Sequence, residues 1–261
     1  MSATPPDAAT PAHLDPSELG TKQYWDNLYA TELCNHASNP ADKGTVWFDD
    51  SDAENKIVAF LDDDEAELAL DRATASVLDF GCGNGSLLFA LRDDGWAGRL
   101  VGVDYSERSV KLAVAVGEGR AGREEDGGGG QVEFRVWDVL RGDFAVVPSL
   151  SGAGWDLVLD KGTFDAVSLS DERDGRGRRI CEGYGERVVR LLRPGGKFLV
   201  TSCNWTEKEL GGWFERTNTL DGGDSAGARL KQVARIDYPS FSFGGVKGQT
   251  ISTLCFEKVE A

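Results

Sequence analysis

An apolar run that ends in a carboxylate and breaks into closely spaced glycines, Val77-Leu78-Asp79-Phe80-Gly81-Cys82-Gly83-Asn84-Gly85, constrains this chain more than any other stretch. A glycine-rich turn between a strand and a helix lets backbone N–H groups approach a ligand where a Cβ would obstruct it, and in open α/β sheets that turn stands at the crevice beyond the strand ends. Around it, short apolar segments at 76–80, 99–103, 132–136, 155–159 and 197–202 alternate with helical ones, the pattern of a parallel sheet covered on both faces. Two more strands, 231–238 and 249–258, leave no room for a full helix between them and should pair antiparallel. The expectation is an α/β fold, doubly wound around a seven-stranded, mostly parallel sheet with a terminal antiparallel hairpin.

Glycine spacing alone does not separate this turn from a dinucleotide site. Asp79, two residues before the first glycine, suits a cationic, amino-acid-bearing cofactor better than a pyrophosphate, which turns the reading toward S-adenosyl-L-methionine. Asp104 ends the second strand 21 residues beyond Gly83, where a carboxylate can accept both ribose hydroxyls and Tyr105 can cover an adenine. A helix N-cap is the competing role there, and Ser106 suits it equally. After the third strand, Trp137-Asp138-Val139 offers a carboxylate for the adenine amino group. Gly44-Thr45-Val46-Trp47-Phe48 is expected as a turn near this cleft, between helices over 22–33 and 53–61.

The fourth strand delivers Asp160-Lys161-Gly162-Thr163-Phe164-Asp165 to the same edge, which makes it the acceptor side. Asp160 and Phe164 are the choices for orienting and desolvating the acceptor; pairing with Lys161 or capping the next helix are the alternatives for Asp160. Trp205, in Ser202-Cys203-Asn204-Trp205-Thr206, either lines the acceptor channel or belongs to the core. Arg193-Pro194-Gly195-Gly196 is expected as the turn entering the fifth strand.

Composition narrows the partners. A formal charge of -16 repels phosphate backbones and anionic leaflets, so no nucleic-acid or membrane role is expected and a basic protein fits better. Only His13 and His36 are present, both upstream of the predicted core, which leaves a histidine-based hydrolase little to work with. Five dispersed cysteines without a Cys-x-x-Cys pair indicate free thiols and no metal site. Residues 1–18, interrupted by Pro5, Pro6, Pro11 and Pro16, are expected to be a disordered tail ahead of one catalytic domain over 19–261. The first twenty residues lack the basic start and apolar run of a signal peptide, so the expected location is the cytoplasm. Absence of heptads makes a monomer the expectation. Segments 117–130, 171–179 and 217–228 have the composition of surface insertions.

Beyond the cofactor turn, Leu19-Gly20-Thr21-Lys22, Tyr24-Trp25-Asp26, Val46-Trp47-Phe48, Asp160 to Ala166, Ser202 to Thr206 and Phe241-Ser242-Phe243-Gly244-Gly245 follow one another in the order of a known family. In these segments the chain resembles the eukaryotic lysine methyltransferases of translation elongation factor 1-alpha, seven-stranded enzymes dependent on S-adenosyl-L-methionine. The resemblance implies a protein-lysine N-methyltransferase acting on that factor. Asp79, Gly81, Gly83 and Asp104 would bind the cofactor with Trp47 close to it, and Asp160 would stand at the acceptor mouth. The insertion after residue 116 and the basic stretch 173–179 lie outside the matched motifs. The rival readings are a methyltransferase for another protein or a small molecule, and a non-catalytic cofactor-binding assembly factor. The ribose carboxylate speaks against the latter, and the lack of a long apolar lid against a small-molecule enzyme.

Overall fold

The computed structural model describes residues 11–63, 65–121, 131–216, 227–243 and 246–260. Its strands are β1 (Val77–Phe80), β2 (Leu100–Asp104), β3 (Glu133–Val136), β4 (Trp155–Lys161), β5 (Leu192–Ser202), β6 (Arg229–Ile236), β7 (Ser240–Phe243), β8 (Val246–Gln249) and β9 (Ser252–Val259). The helices are α1 (Lys22–Ser38), α2 (Ala53–Asp63), α3 (Glu65–Leu68), α4 (Ser86–Asp93), α5 (Glu107–Ala121), α6 (Thr163–Ser168), α7 (Tyr184–Leu191) and α8 (Glu207–Phe214).

Seven strands form one sheet in the order β3-β2-β1-β4-β5-β9-β6. From β3 to β5 every pairing is parallel, and β9 runs antiparallel to both β5 and β6. This is the expected sheet, with one addition: β7 and β8 make a separate two-stranded ribbon in the connection from β6 to β9. Too short for a helix, that connection still has room for a hairpin. Gly244 and Gly245 of the matched segment lie outside the described residues.

Side chains alternate across a strand, so each strand feeds two cores. Val77, Leu157, Leu159, Leu199 and Cys255 point to one face, where Ile57 and Leu61 of α2 and Leu88 and Leu91 of α4 cover them. Leu78, Phe80, Val158, Phe198, Val200 and Phe256 point to the other, against Val188 and Val189 of α7 and Leu210 and Phe214 of α8. Each buried side chain of this size contributes about 1.5–3 kcal/mol, and that two-sided demand explains why these strands read as unbroken apolar runs.

Three boundaries differ from the sequence expectation. α1 continues to Ser38 because its last turns are held by polar contacts that apolar spacing does not reveal: the Glu32 carboxylate accepts from the Thr45 N–H at 2.9 Å, and His36 Nδ1 meets the Asp42 carbonyl at 2.6 Å. Arg193 to Gly196 do not precede β5 but loop out within it, since Leu192 pairs with Trp155 and Lys197 with Leu157, and Gly195 takes the left-handed φ of +73° that the excursion needs. Order also begins before Leu19. His13 stands edge-on to Trp213 with ring centroids 5.7 Å apart, Leu14 packs on the core, and the Ser17 N–H donates to the Leu169 carbonyl. Prolines there exclude a helix, not an extended strap. In the expected insertions, α5 reaches Ala121, and 122–130 and 217–226 lie outside the described residues.

Candidate active site

At the carboxyl edge of the sheet the loops after β1 to β5 surround a cavity of about 240 Å³. Gly81, with φ +57°, begins its floor; a Cβ there would collide with Thr163 Oγ1, whose hydroxyl donates to the Phe80 carbonyl at 2.7 Å. Glycine is therefore required where the turn after β1 and the turn after β4 lock together. Gly83, φ +56°, has the Tyr29 hydroxyl 2.9 Å from where its Cβ would stand.

Asp104 closes β2 and lines the cavity. Its carboxylate accepts from the Ser106 N–H at 2.8 Å, the Ser109 hydroxyl at 2.7 Å and the Gly83 N–H at 3.4 Å. Burial pushes its pKa up to about 6 against those donors. The carboxylate that organises the helix start therefore also lines the cavity. Tyr105, Asp138 and Val139 form the neighbouring wall. Asp138 caps its own loop through the Leu140 and Arg141 N–H groups, and Arg187 fixes the Val139 carbonyl at 2.7 Å. Arg187 itself lies over Trp137 and Phe144, and burial lowers its pKa to about 10.

A smaller chamber of about 30 Å³ shares Tyr29, Trp47, Gly81 and Lys161 with the main cavity and holds Asp79 and Gly83. Asp79 is 3% exposed, and among the described residues its carboxylate makes no hydrogen bond. Burial drives its pKa well up, while the Lys161 ammonium opposes the shift. Lys161 is held at 2.9 Å by the Trp47 carbonyl and 3.3 Å from Glu54. The Trp47 indole N–H is buried and, among the described residues, has no partner. An unsatisfied carboxylate and an unsatisfied donor in one chamber, beside a cavity carrying the Asp104 carboxylate, fit the aminoacyl end and the ribose of S-adenosyl-L-methionine.

The structure thus gathers Trp47, Asp79, Gly81, Gly83, Asp104, Tyr105, Asp138 and Val139 around the two chambers. It does not bring Asp160, Phe164 or Trp205 there. Asp160 is 1% exposed and turned inward, accepting from the Thr163 and Phe164 N–H groups and from the Tyr184 hydroxyl. The orphan donors at the start of α6 capture it, so the capping alternative is correct. Phe164 projects from α6 into an aromatic cluster with Tyr184, Trp213 and Phe214. Trp205 is core as well, donating its indole N–H to Ser168 at 3.1 Å.

In their place the part of the cavity beyond β4 and β5 is lined by Phe48, Lys161, Asp165, Cys203 and Asn204. Phe48 is in the left-handed region with φ +64°, which sets its ring over Gly162. Asp165 sits in the first turn of α6, where a carboxylate is ordinary, so the sequence gives no sign that it faces a cavity. The signal was available for Asn204, an amide directly after a strand end. Among the described residues no group of three or more His, Cys, Asp or Glu could hold a metal ion, and no helix is long and apolar enough to cross a membrane.

A profile of the family described as a methyltransferase domain matches residues 71–244. Over 247 residues the chain is 42% identical to the protein-lysine N-methyltransferase EFM4 of Saccharomyces cerevisiae, covering 95% of this chain and 97% of that protein. To the EEF1A lysine methyltransferase 2 of Homo sapiens it is 32% identical over 244 residues, covering 94% and 88%. Among solved structures it resembles magnesium protoporphyrin IX methyltransferase of Synechocystis PCC 6803 with bound S-adenosylmethionine, at a TM-score of 0.51 and 15% identity, over 88% of this chain and 96% of that one. That likeness is one of fold.

Proposed function

The chain belongs to the methyltransferase family that includes protein-lysine N-methyltransferase EFM4 and EEF1A lysine methyltransferase 2, and on that premise we propose that it methylates a lysine of translation elongation factor 1-alpha. The enzyme is a protein-lysine N-methyltransferase and S-adenosyl-L-methionine is its methyl donor. When bound, the donor supplies an electrophilic methyl carbon on a sulfonium.

The observation that carries the reading is the pair of connected chambers, one with the ribose carboxylate Asp104, the other with Asp79 and the Trp47 indole N–H awaiting partners. Asp104 would accept the ribose hydroxyls, Tyr105 and Val139 would enclose the adenine, and Asp138 would face its amino group. Asp79 would meet the aminoacyl ammonium, with Lys161 and Trp47 at its carboxylate. Phe48 and Asn204 then border the approach of a narrow acceptor such as a lysine side chain, whose reaction requires alignment with the methyl and loss of a proton.

A basic protein substrate agrees with the net charge of -16, and we place the enzyme in the cytoplasm, acting as a monomer. Transfer of labelled methyl to purified elongation factor 1-alpha, with peptide mapping and Asp104→Ala as control, tests the assignment. Labelling of one lysine that disappears in the variant supports it; cofactor binding without labelling of the factor points to another acceptor or to an assembly role.

A further inference from the structure

We propose that Asp165 is the carboxylate that receives the acceptor amine, the role that sequence order gives to Asp160. This rests on the lysine-methyltransferase reading and names the acceptor-binding group within it.

Asp165 lines the cavity yet is only 6% exposed. The Ser202 hydroxyl donates to one of its oxygens and the Cys203 N–H to the other at 2.8 Å. Ser202 is itself fixed, because its hydroxyl oxygen accepts from the Asn204 N–H at 3.1 Å and the Trp205 N–H at 3.0 Å. Every one of these donors is uncharged, and among the described residues Asp165 forms no ion pair. Cations at the cavity are matched elsewhere: Lys161 with Glu54, Arg141 with Glu172, and Lys22 with Asp26. A buried carboxylate without a counter-charge is costly, and one that opens onto a cavity is poised for a cationic ligand. Burial raises its pKa, in keeping with that missing charge, and burial, with the Asp165 charge beside it, pushes the Cys203 thiol up to about 12, so the thiol stays protonated and does not compete.

Three cationic groups enter this site: the donor's α-ammonium, assigned above to Asp79, its sulfonium, and the acceptor ammonium, and the sheet order separates the donor side from the acceptor side. Asp165 is pinned to the end of β5, two strands from the glycine turn after β1 and three from Asp104 after β2. At about 4.8 Å per strand it stands roughly 10 Å from the former and roughly 14 Å from the latter, on the acceptor side. The ammonium of the incoming lysine pairs with Asp165 and gives it one proton. The freed nitrogen lone pair then forms the bond to the methyl carbon, the carbon–sulfur electron pair stays on sulfur, and the charge remains on the methylated nitrogen. The proton on Asp165 returns to solvent after product leaves.

The test compares wild type, Asp165→Asn and Ser202→Ala with purified elongation factor 1-alpha, alongside calorimetric titration of S-adenosylmethionine and S-adenosylhomocysteine. For Asp165→Asn, kcat/KM for the protein should fall about 100-fold or more with both cofactor affinities unchanged, and the acidic limb of the pH profile should disappear. Ser202→Ala keeps the carboxylate but frees its orientation, so KM for the protein should rise. Retained turnover in Asp165→Asn overturns the proposal. Selective loss of S-adenosylmethionine over S-adenosylhomocysteine also overturns it, because the carboxylate would then serve the sulfonium. If Asp165→Asn does not fold, an unchanged KM in Ser202→Ala is the overturning result. If the wild type labels no elongation factor, the substrate assignment falls first and this proposal with it.

Discussion

Tyr184 donates its hydroxyl to Asp160 at 2.6 Å inside the aromatic core, so a carboxylate at the edge of the site is spent on architecture. Burial raises the Asp160 pKa to about 7 from 3.8. The folded state therefore holds the proton more tightly than the unfolded chain, and the stability from this group is full below 3.8 and lost as pH rises through about 7. Denaturant titrations should show wild type losing stability relative to Asp160→Asn across that window. Tyr184→Phe, which removes a donor from a buried acceptor, should cost about 1–3 kcal/mol.

Asp104 should make cofactor binding sensitive to pH. Only the ionised carboxylate can accept both ribose hydroxyls, and its pKa of about 6 lies above the usual carboxylate range. Affinity for S-adenosylhomocysteine should strengthen as pH rises through about 6 and level off above it. Asp104→Asn should weaken binding about 10- to 100-fold, as expected for lost hydrogen bonds to a charge, and flatten the profile. An unchanged pH dependence in the variant would assign the titration to another group.

Trp47→Phe separates a donor from a ring. Its indole N–H has no partner among the described residues, so the replacement removes no hydrogen bond seen there and should leave the melting temperature nearly unchanged. Calorimetric affinity for S-adenosylhomocysteine should drop about tenfold, the scale of one hydrogen bond. A large stability loss with intact affinity would count against the aminoacyl role.

Trp205→Phe should do the reverse. It deletes the hydrogen bond to Ser168 and leaves a void beside Phe164 and Trp213, lowering stability by about 1–3 kcal/mol. Methyl transfer measured well below the melting temperature should keep its kcat. A collapse of kcat with normal stability would return Trp205 to the channel.

How far the sequence could be read depends on what each residue must satisfy. The strands were legible because both faces are buried, and the glycine turn because Gly81 and Gly83 leave no space for a Cβ. That Asp79, Asp104 and Asp138 line the chambers followed from their places at or near strand ends. On the acceptor side, proximity to a strand end did not reveal direction: Asp160 and Asp165 are one turn of chemistry apart, yet the first points into the core and the second into the cavity. That choice is made by Tyr184 and Ser202, residues remote in sequence whose pairing only the folded chain displays. The strap formed by 11–17 was missed for a related reason, since composition describes what cannot become a helix and says nothing of what packs while extended.

The sheet order places β2 and β3 on one side of β1 and β4 and β5 on the other. Residues 77–139 therefore carry most of the groups that would grip the donor, joined by Trp47 and Lys161, while the groups that would face the acceptor on this part of the sheet edge come from 160–204, and the two sets adjoin along the seam between β1 and β4. Substitutions in the second block that spare Lys161 would then alter the acceptor side while leaving the donor groups in place. A chimera that exchanges the second block with a relative of different acceptor would inherit its new client while keeping its old methyl supply.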